Sequence, residues 1–188
     1  MNYPTKKIET NNSTILNKSK LGMSLESDIN VTNKAYIEED RAIIYKKPTP
    51  IKIVNVDYKS RNTAKIIEAY YSEPSTTDYN GIYKMRYIDF EAKETISKTS
   101  FPFALIHPHQ IKHLEKCLKH GAIAFIILRM TSFNETYLIK AENFLDFYKG
   151  KSRKSLPYDW IKEHGHTIEY KYSKPCDYLQ VVDKVYKL

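Results

Sequence analysis

One segment constrains the fold most, because apolar and charged residues alternate along it from Ile82 to Thr95. Such alternation is typical of a half-buried β-strand, on which residues two apart share a face. The apolar face comprises Ile88, Phe90 and Ala92. The charged face comprises Asp89, Glu91 and Lys93. The segment therefore predicts a sheet with one face on a core, while the charged row faces either solvent or a functional site.

A tight turn is predicted just before this strand at Asn80-Gly81, since both residues tolerate positive φ. Folding the chain back there brings Asp78 towards Glu91. Two carboxylates supply hard oxygen ligands that suit Mg²⁺ and leave positions for water and phosphate. Lys93 can then orient the attacking water or offset the charge of the transition state. The spacing favours metal-dependent phosphodiester cleavage, and its alternative is the ordinary solvated face of a sheet.

Length and composition indicate one α/β domain. The chain has 188 residues and a formal net charge of +8, which favours a nucleic acid as the phosphodiester. Cys117 and Cys176 are far apart, so we expect a reducing cytoplasm and no structural zinc site. No apolar run has membrane length, and residues 1–20 predict a flexible basic arm instead of a signal peptide. A single domain is expected over residues 21–188, without a phosphate-binding glycine loop.

Positive charge is concentrated between Arg41 and Lys65, which hold seven Lys/Arg residues and one Asp. Lys46 and Lys47 precede Pro48-Thr49-Pro50, and a strand is predicted directly afterwards at 51–58. A basic, proline-rigidified projection beside a metal site suggests an element that contacts the DNA backbone. The alternative is a solvated charged face, which is how most charge runs are explained.

The remaining elements follow from caps and periodicity. Ser24 predicts the N-cap of a helix that runs to about Glu38, and Pro108 begins a helix that His120-Gly121 closes. A continuous apolar run, Ala122 to Met130, predicts a buried strand. Further strands are expected at about 41–46, 64–72, 136–139 and 166–172. Further helices are expected at about 141–148, after Pro157, and at 176–187.

Two features of the sequence leave alternatives open. His107, His109 and His113 are close enough to suggest zinc, but the sequence shows no carboxylate or thiolate partner nearby. Glu26 lies in the first turn of its helix, where a carboxylate favours the helix dipole; an accessory role near the metal is the other reading.

Several blocks of the chain, in the same order, resemble the RecU-type Holliday junction resolvases of low-GC Gram-positive bacteria. The resemblance covers about residues 21–185. It rests on the segments 22–26, 46–50, 64–66, 75–81, 88–95, 107–111 and 178–182. It implies a restriction-endonuclease-like α/β fold, with a mixed central β-sheet flanked by helices and a projecting β stalk at about 46–71. It also implies a homodimer that nicks four-way DNA junctions symmetrically with Mg²⁺, or with Mn²⁺.

The same resemblance assigns roles to individual residues. Asp78 and Glu91 look like acidic metal ligands, Thr76 and Gln110 like the remaining ligand positions, and Lys93 like the transition-state stabiliser. The stalk residues that the resemblance implies as DNA contacts are Lys46, Lys47, Arg61, Lys65 and Tyr71. Implied protein partners are a RecA-type recombinase and a branch-migration helicase.

Three functions are consistent with these patterns. The leading hypothesis is a junction-resolving endonuclease that acts in recombination and repair. A sequence-specific nuclease of the same fold would cut linear duplex and leave the stalk unexplained. A non-catalytic junction-binding protein that modulates the RecA-type recombinase would use the metal site only secondarily.

Overall fold

The computed structural model describes residues 24–72, 76–150 and 153–188, so the arm expected at 1–20 lies outside the described residues. The strands are β1 (Ile43–Lys46), β2 (Ile51–Asp57), β3 (Lys65–Tyr71), β4 (Tyr79–Tyr83), β5 (Arg86–Thr95), β6 (Ser100–Pro102), β7 (Ile123–Met130), β8 (Glu135–Lys140), β9 (Ser155–Pro157) and β10 (His166–Thr167). The α-helices are α1 (Leu25–Glu38), α2 (Pro108–Lys119), α3 (Ala141–Lys149), α4 (Tyr158–His164) and α5 (Tyr178–Tyr186). Within these ranges no helix combines the length and apolarity needed to cross a membrane.

Six strands form the main sheet in the order β1-β4-β5-β7-β8-β10. β5 and β7 run parallel, and the other neighbours are antiparallel. A parallel pair needs a long crossover, and the chain between β5 and β7 contains α2. The predicted α/β class, with a mixed central sheet flanked by helices, is confirmed.

Two hydrophobic cores lie on opposite faces of this sheet. On one face, α1 and α5 bury residues such as Ile29 and Leu179 against the sheet. On the other face, α2, α3 and α4 bury residues such as Leu114 and Phe144. β7 contributes alternate residues to both cores, which explains why its sequence is apolar throughout.

The turn predicted at Asn80-Gly81 is wrong. Both residues lie inside β4, and the chain reverses three residues after Gly81, at Lys84 and Met85, whose φ angles are 46° and 59°. Gly81 is needed for close approach instead, because a Cβ there would lie 2.0 Å from the backbone oxygen of Ile43 on β1. The close packing of β1 on β4 therefore outweighs the local preference of Asn80-Gly81 for a turn.

The strand predicted at 166–172 is much shorter, since β10 ends at Thr167. One more backbone bond follows, from Ile168 N to Thr136 O at 2.8 Å. Beyond this bond the backbone no longer pairs as a strand. The ammonium of Lys171 lies 3.0 Å from the Asp177 carboxylate.

β2 and β3 form a separate antiparallel pair, which we call the ribbon. Every residue of the two strands is exposed, apart from the partly exposed Asp57. The ribbon lies within the segment at about 46–71 that the family resemblance implies to be a β stalk.

Candidate active site

The register of β4 and β5 brings the predicted acidic residues together. Tyr79 pairs with Phe90, so Asp78, one residue before β4, lies next to Glu91. The Asp78 carboxylate accepts a hydrogen bond from the backbone N–H of Ala92 at 3.1 Å. The expected approach of Asp78 to Glu91 therefore occurs, although the turn that produces it lies at a different place.

The charged face of β5 is turned into the protein. Asp89 and Glu91 are both 0% exposed, so the solvated-face alternative is wrong for these two carboxylates. Their partners on β7 are Ala124 and Ile126, which belong to the core under α2. Burying carboxylates costs free energy unless they are paired, so each of them requires a specific partner.

Lys93 supplies one such partner. Its ammonium forms an ion pair with Glu91 and lies 3.5 Å from the carboxylate of Asp78. Burial alone would lower the pKa of Lys93, but the carboxylates of Glu91 and Asp78 outweigh it and raise that pKa. Lys93 is therefore a cation held between the two acidic residues.

Gln110 enters the site from the first turn of α2. Its side-chain amide donates to Glu91 at 2.7 Å and to the backbone oxygen of Thr76 at 3.4 Å. Its side-chain oxygen accepts from the backbone N–H of His107 at 2.9 Å, which completes a capping box. The cap fixes where α2 begins and so holds Gln110 against Glu91.

The carboxylate of Glu91 fits a cation. Its Oε2 is buried and has no hydrogen-bond partner among the described residues. Burial, followed by repulsion from Asp78, raises the pKa of Glu91 to about 8. A buried carboxylate with a free oxygen, beside a second carboxylate, is suited to bind a hard divalent ion.

A second charged cluster lies beside these residues, around Asp89 on the same face of β5, and the sequence did not predict it. Asp89 accepts from the ammonium of Lys47 at 2.7 Å, from the hydroxyl of Tyr87 at 2.9 Å, and from the hydroxyl of Thr77. His113 Nε2 lies 3.1 Å from the same carboxylate. Lys47, expected to contact DNA, is instead largely buried, with its side chain 13% exposed.

The expectation that the histidines lack a carboxylate or thiolate partner is wrong for His113. It lies 3.1 Å from Asp89 and 3.4 Å from the Cys117 sulfur, and the ligand atoms of the three residues lie within 4.8 Å of one another. His113 and Cys117 are four residues apart on α2, which places them on one face and was readable from the sequence. Burial and the charge of Asp89 raise the pKa of the thiol to about 11, although Lys47 opposes this, so the thiol stays protonated.

The other expected DNA contacts lie on or near the ribbon. Arg61 and Lys65 are exposed, and Tyr71 is 84% exposed. Lys46, at the end of β1, pairs with Glu26 at 2.5 Å. That ion pair gives Glu26 a partner besides the helix dipole.

Asp78, Glu91, Lys93 and Gln110 therefore form one acidic site on the mixed α/β sheet. The chain belongs to the RecU family, described as recombination protein U, whose family model matches residues 20–184.

Named relatives cover nearly the whole chain. It is 50% identical over 197 residues to the Holliday junction resolvase RecU of Oceanobacillus iheyensis, covering 99% of this chain and 100% of that protein. It is 51% identical over 168 residues to the Geobacillus kaustophilus protein of the same name, covering 88% and 84%. The solved Holliday junction resolvase Hjc of Archaeoglobus fulgidus superimposes with a TM-score of 0.42 at 10% identity, covering 73% of this chain and 93% of that one.

Proposed function

We propose that this protein is a Mg²⁺-dependent endonuclease that resolves Holliday junctions by symmetric nicking. The observation that carries the proposal is the buried Oε2 of Glu91, beside Asp78, Gln110 and Lys93, which finds no hydrogen-bond partner in the part of the chain that the structure describes. Relatives about half identical to the chain carry the name Holliday junction resolvase, which supports the choice of substrate.

The proposed metal ligands are Asp78, Glu91, Thr76 and Gln110. Asp78 and Glu91 would supply carboxylate oxygens, and Thr76 its hydroxyl or backbone oxygen. Gln110 would supply its side-chain oxygen, which in this structure accepts from the backbone N–H of His107. Mg²⁺ prefers such hard ligands and retains waters, and Mn²⁺ would also fit them. A bound divalent ion would polarise the scissile phosphate and lower the pKa of an attacking water.

Lys93 acts next to these ligands. Its ammonium contacts Glu91 and lies 3.5 Å from the carboxylate of Asp78, which places it beside the proposed metal ligands. We assign it to orienting the attacking water and to stabilising negative charge on the phosphorus centre in the transition state.

The ribbon, together with the basic residues at its base, is assigned to DNA. Arg61, Lys65 and Tyr71 are exposed there, and Lys46 lies where β1 ends. Basic side chains neutralise phosphates, and an exposed aromatic ring can stack on a base. An element that enters the open centre of a four-way junction has no counterpart in linear duplex, so selectivity would come from shape.

Symmetric nicking requires two active sites. In a homodimer with a two-fold axis, each copy can cut one of two opposed strands of the junction. We therefore propose a homodimer as the functional unit, with a RecA-type recombinase and a branch-migration helicase as further partners.

Substituting Asp78→Asn tests whether the protein acts by cleavage or only by binding. We expect junction cleavage with Mg²⁺ to fall by about 100-fold, because a metal-ligand charge is lost. Junction affinity measured by fluorescence anisotropy in EDTA should stay within a factor of about two. Asp159→Asn is the matched control, because Asp159 is a surface residue that pairs only with Lys162 among the ion pairs of the structure described here.

Two outcomes would contradict the proposal. If the unmodified protein binds junctions but does not cut them with Mg²⁺ or Mn²⁺, the non-catalytic reading replaces it. If Asp78→Asn cuts as fast as the unmodified protein, the proposed metal site is wrong.

A further inference from the structure

Lys47 occupies an unusual place for a basic residue that directly follows a strand leading to the ribbon. Its ammonium lies 2.7 Å from Asp89 Oδ2, 2.7 Å from the hydroxyl of Thr77 and 3.0 Å from the hydroxyl of Thr76. His113 Nε2 lies 3.4 Å away. The ammonium has three donors, so these partners can use all of its hydrogen-bonding capacity.

These contacts join the two ends of the ribbon at one point. Lys47 precedes β2 in the chain, and Thr76 and Thr77 follow β3. The backbone repeats the link, because Lys47 N–H donates to the backbone oxygen of Asp78 at 2.8 Å. Through Lys47, the segment that carries Thr76 and Asp78 is fixed to the base of the ribbon.

The same contacts exclude two other roles for this cluster. A DNA phosphate could take Lys47 only by leaving the fully buried Asp89 without its ammonium partner, which is strongly unfavourable. A metal ion bound to Asp89, His113 and Cys117 would have to displace an ammonium that already neutralises the carboxylate.

We propose that Lys47 is a positioning residue for the metal site and not a DNA contact. It holds Thr76 and Asp78 in the arrangement that binds the ion, and it ties the base of the ribbon to that site. The inference rests on the proposed function for its catalytic meaning, but its effect on metal binding can be measured without DNA.

The test uses two variants and a control. Lys47→Met removes the ammonium, and Lys47→Met with Asp89→Asn also removes the carboxylate that would be left uncompensated. Lys171→Met is the control, because Lys171 pairs at 3.0 Å with another buried carboxylate, Asp177, outside the proposed metal site. The measurements are Mn²⁺ and Mg²⁺ binding by calorimetry without DNA, thermal unfolding, and junction affinity in EDTA.

We expect Lys47→Met to weaken metal binding by about 10- to 100-fold, the range found when residues that support metal ligands are changed. The double variant should recover the unfolding temperature but not the metal affinity. Junction affinity should change by less than about threefold, and its salt dependence should stay the same, because Lys47 does not contact a phosphate in this proposal. A lost phosphate contact would lower both the affinity and its salt dependence. Lys171→Met should leave metal affinity unchanged.

Two results would overturn the inference. If metal affinity is unchanged while junction affinity and its salt dependence fall, Lys47 is a DNA contact. If the double variant recovers metal affinity together with stability, Lys47 only neutralises Asp89. Failure of the unmodified protein to cut junctions would instead reject the proposed function and leave the calorimetric comparison decisive for Lys47.

Discussion

The stability of Glu91→Gln relative to the unmodified metal-free protein should rise as pH rises. Glu91 is fully buried, and its pKa is about 8 because burial and Asp78 disfavour its charged form, whereas the ordinary value is 4.5. Between pH 4.5 and 8 the folded protein therefore keeps a proton that the unfolded chain has released. Glutamine has nearly the same shape but carries no charge.

The sign and size follow from proton linkage. A folded state that binds more protons loses stability as pH rises, so the contribution of Glu91 to the free energy of unfolding falls from pH 4.5 to 8. At about 1.4 kcal/mol per pKa unit, the whole fall is at most about 5 kcal/mol. Glu91→Gln lacks this fall, so its advantage over the unmodified protein should widen across that window and level off above it.

Urea unfolding in EDTA at pH 5, 6, 7, 8 and 9 measures the difference directly. Added Mg²⁺ should then stabilise the unmodified protein but not Glu91→Gln, because ligand binding to the folded state adds stability. Glu163→Gln is the control, because Glu163 is exposed. The difference in free energy of unfolding between this variant and the unmodified protein should not change with pH. A pH-independent difference for Glu91→Gln would refute the argument that burial holds a proton on this carboxylate.

Three further substitutions have defined outcomes. Lys93→Met should lower junction cleavage by about 100- to 1000-fold, the size of effect seen when one group that stabilises transition-state charge is removed, while junction affinity in EDTA stays unchanged. Gly81→Ala should destabilise the protein by more than about 2 kcal/mol in urea unfolding, because the added Cβ would lie 2.0 Å from the Ile43 oxygen and β1 must shift. Arg61→Ala should weaken junction binding and reduce the salt slope measured by anisotropy by about one.

The sequence was sufficient for features that depend on local pattern. The capped start of α1 at Ser24 and the buried strand β7 follow from short-range rules, and both occur as predicted. The approach of Asp78 to Glu91 was also expected, but it depends on where the chain reverses. A two-residue turn at Asn80-Gly81 would place Asp78 opposite Tyr83, whereas the turn at Lys84 and Met85 places it next to Glu91.

The features that the sequence missed depend on contacts between distant segments. Asn80-Gly81 has the local chemistry of a turn, but both residues lie within β4, where β1 packs too closely on Gly81 to leave room for a Cβ atom. Lys47 and Asp89 are 42 residues apart, and only the fold shows that they form an ion pair. A lysine between a basic segment and two prolines has the same local pattern whether it faces DNA or a buried carboxylate.

The central claim is tested most directly with a mobile-core four-way junction and a linear duplex of the same sequence, each incubated with the protein in Mg²⁺ and in EDTA. Strand-specific end labels report where each strand is cut. The account predicts paired nicks at symmetric positions in opposed strands of the junction, only with the metal, and no cutting of the duplex. Equal cutting of both substrates would contradict it and indicate a general or site-specific nuclease.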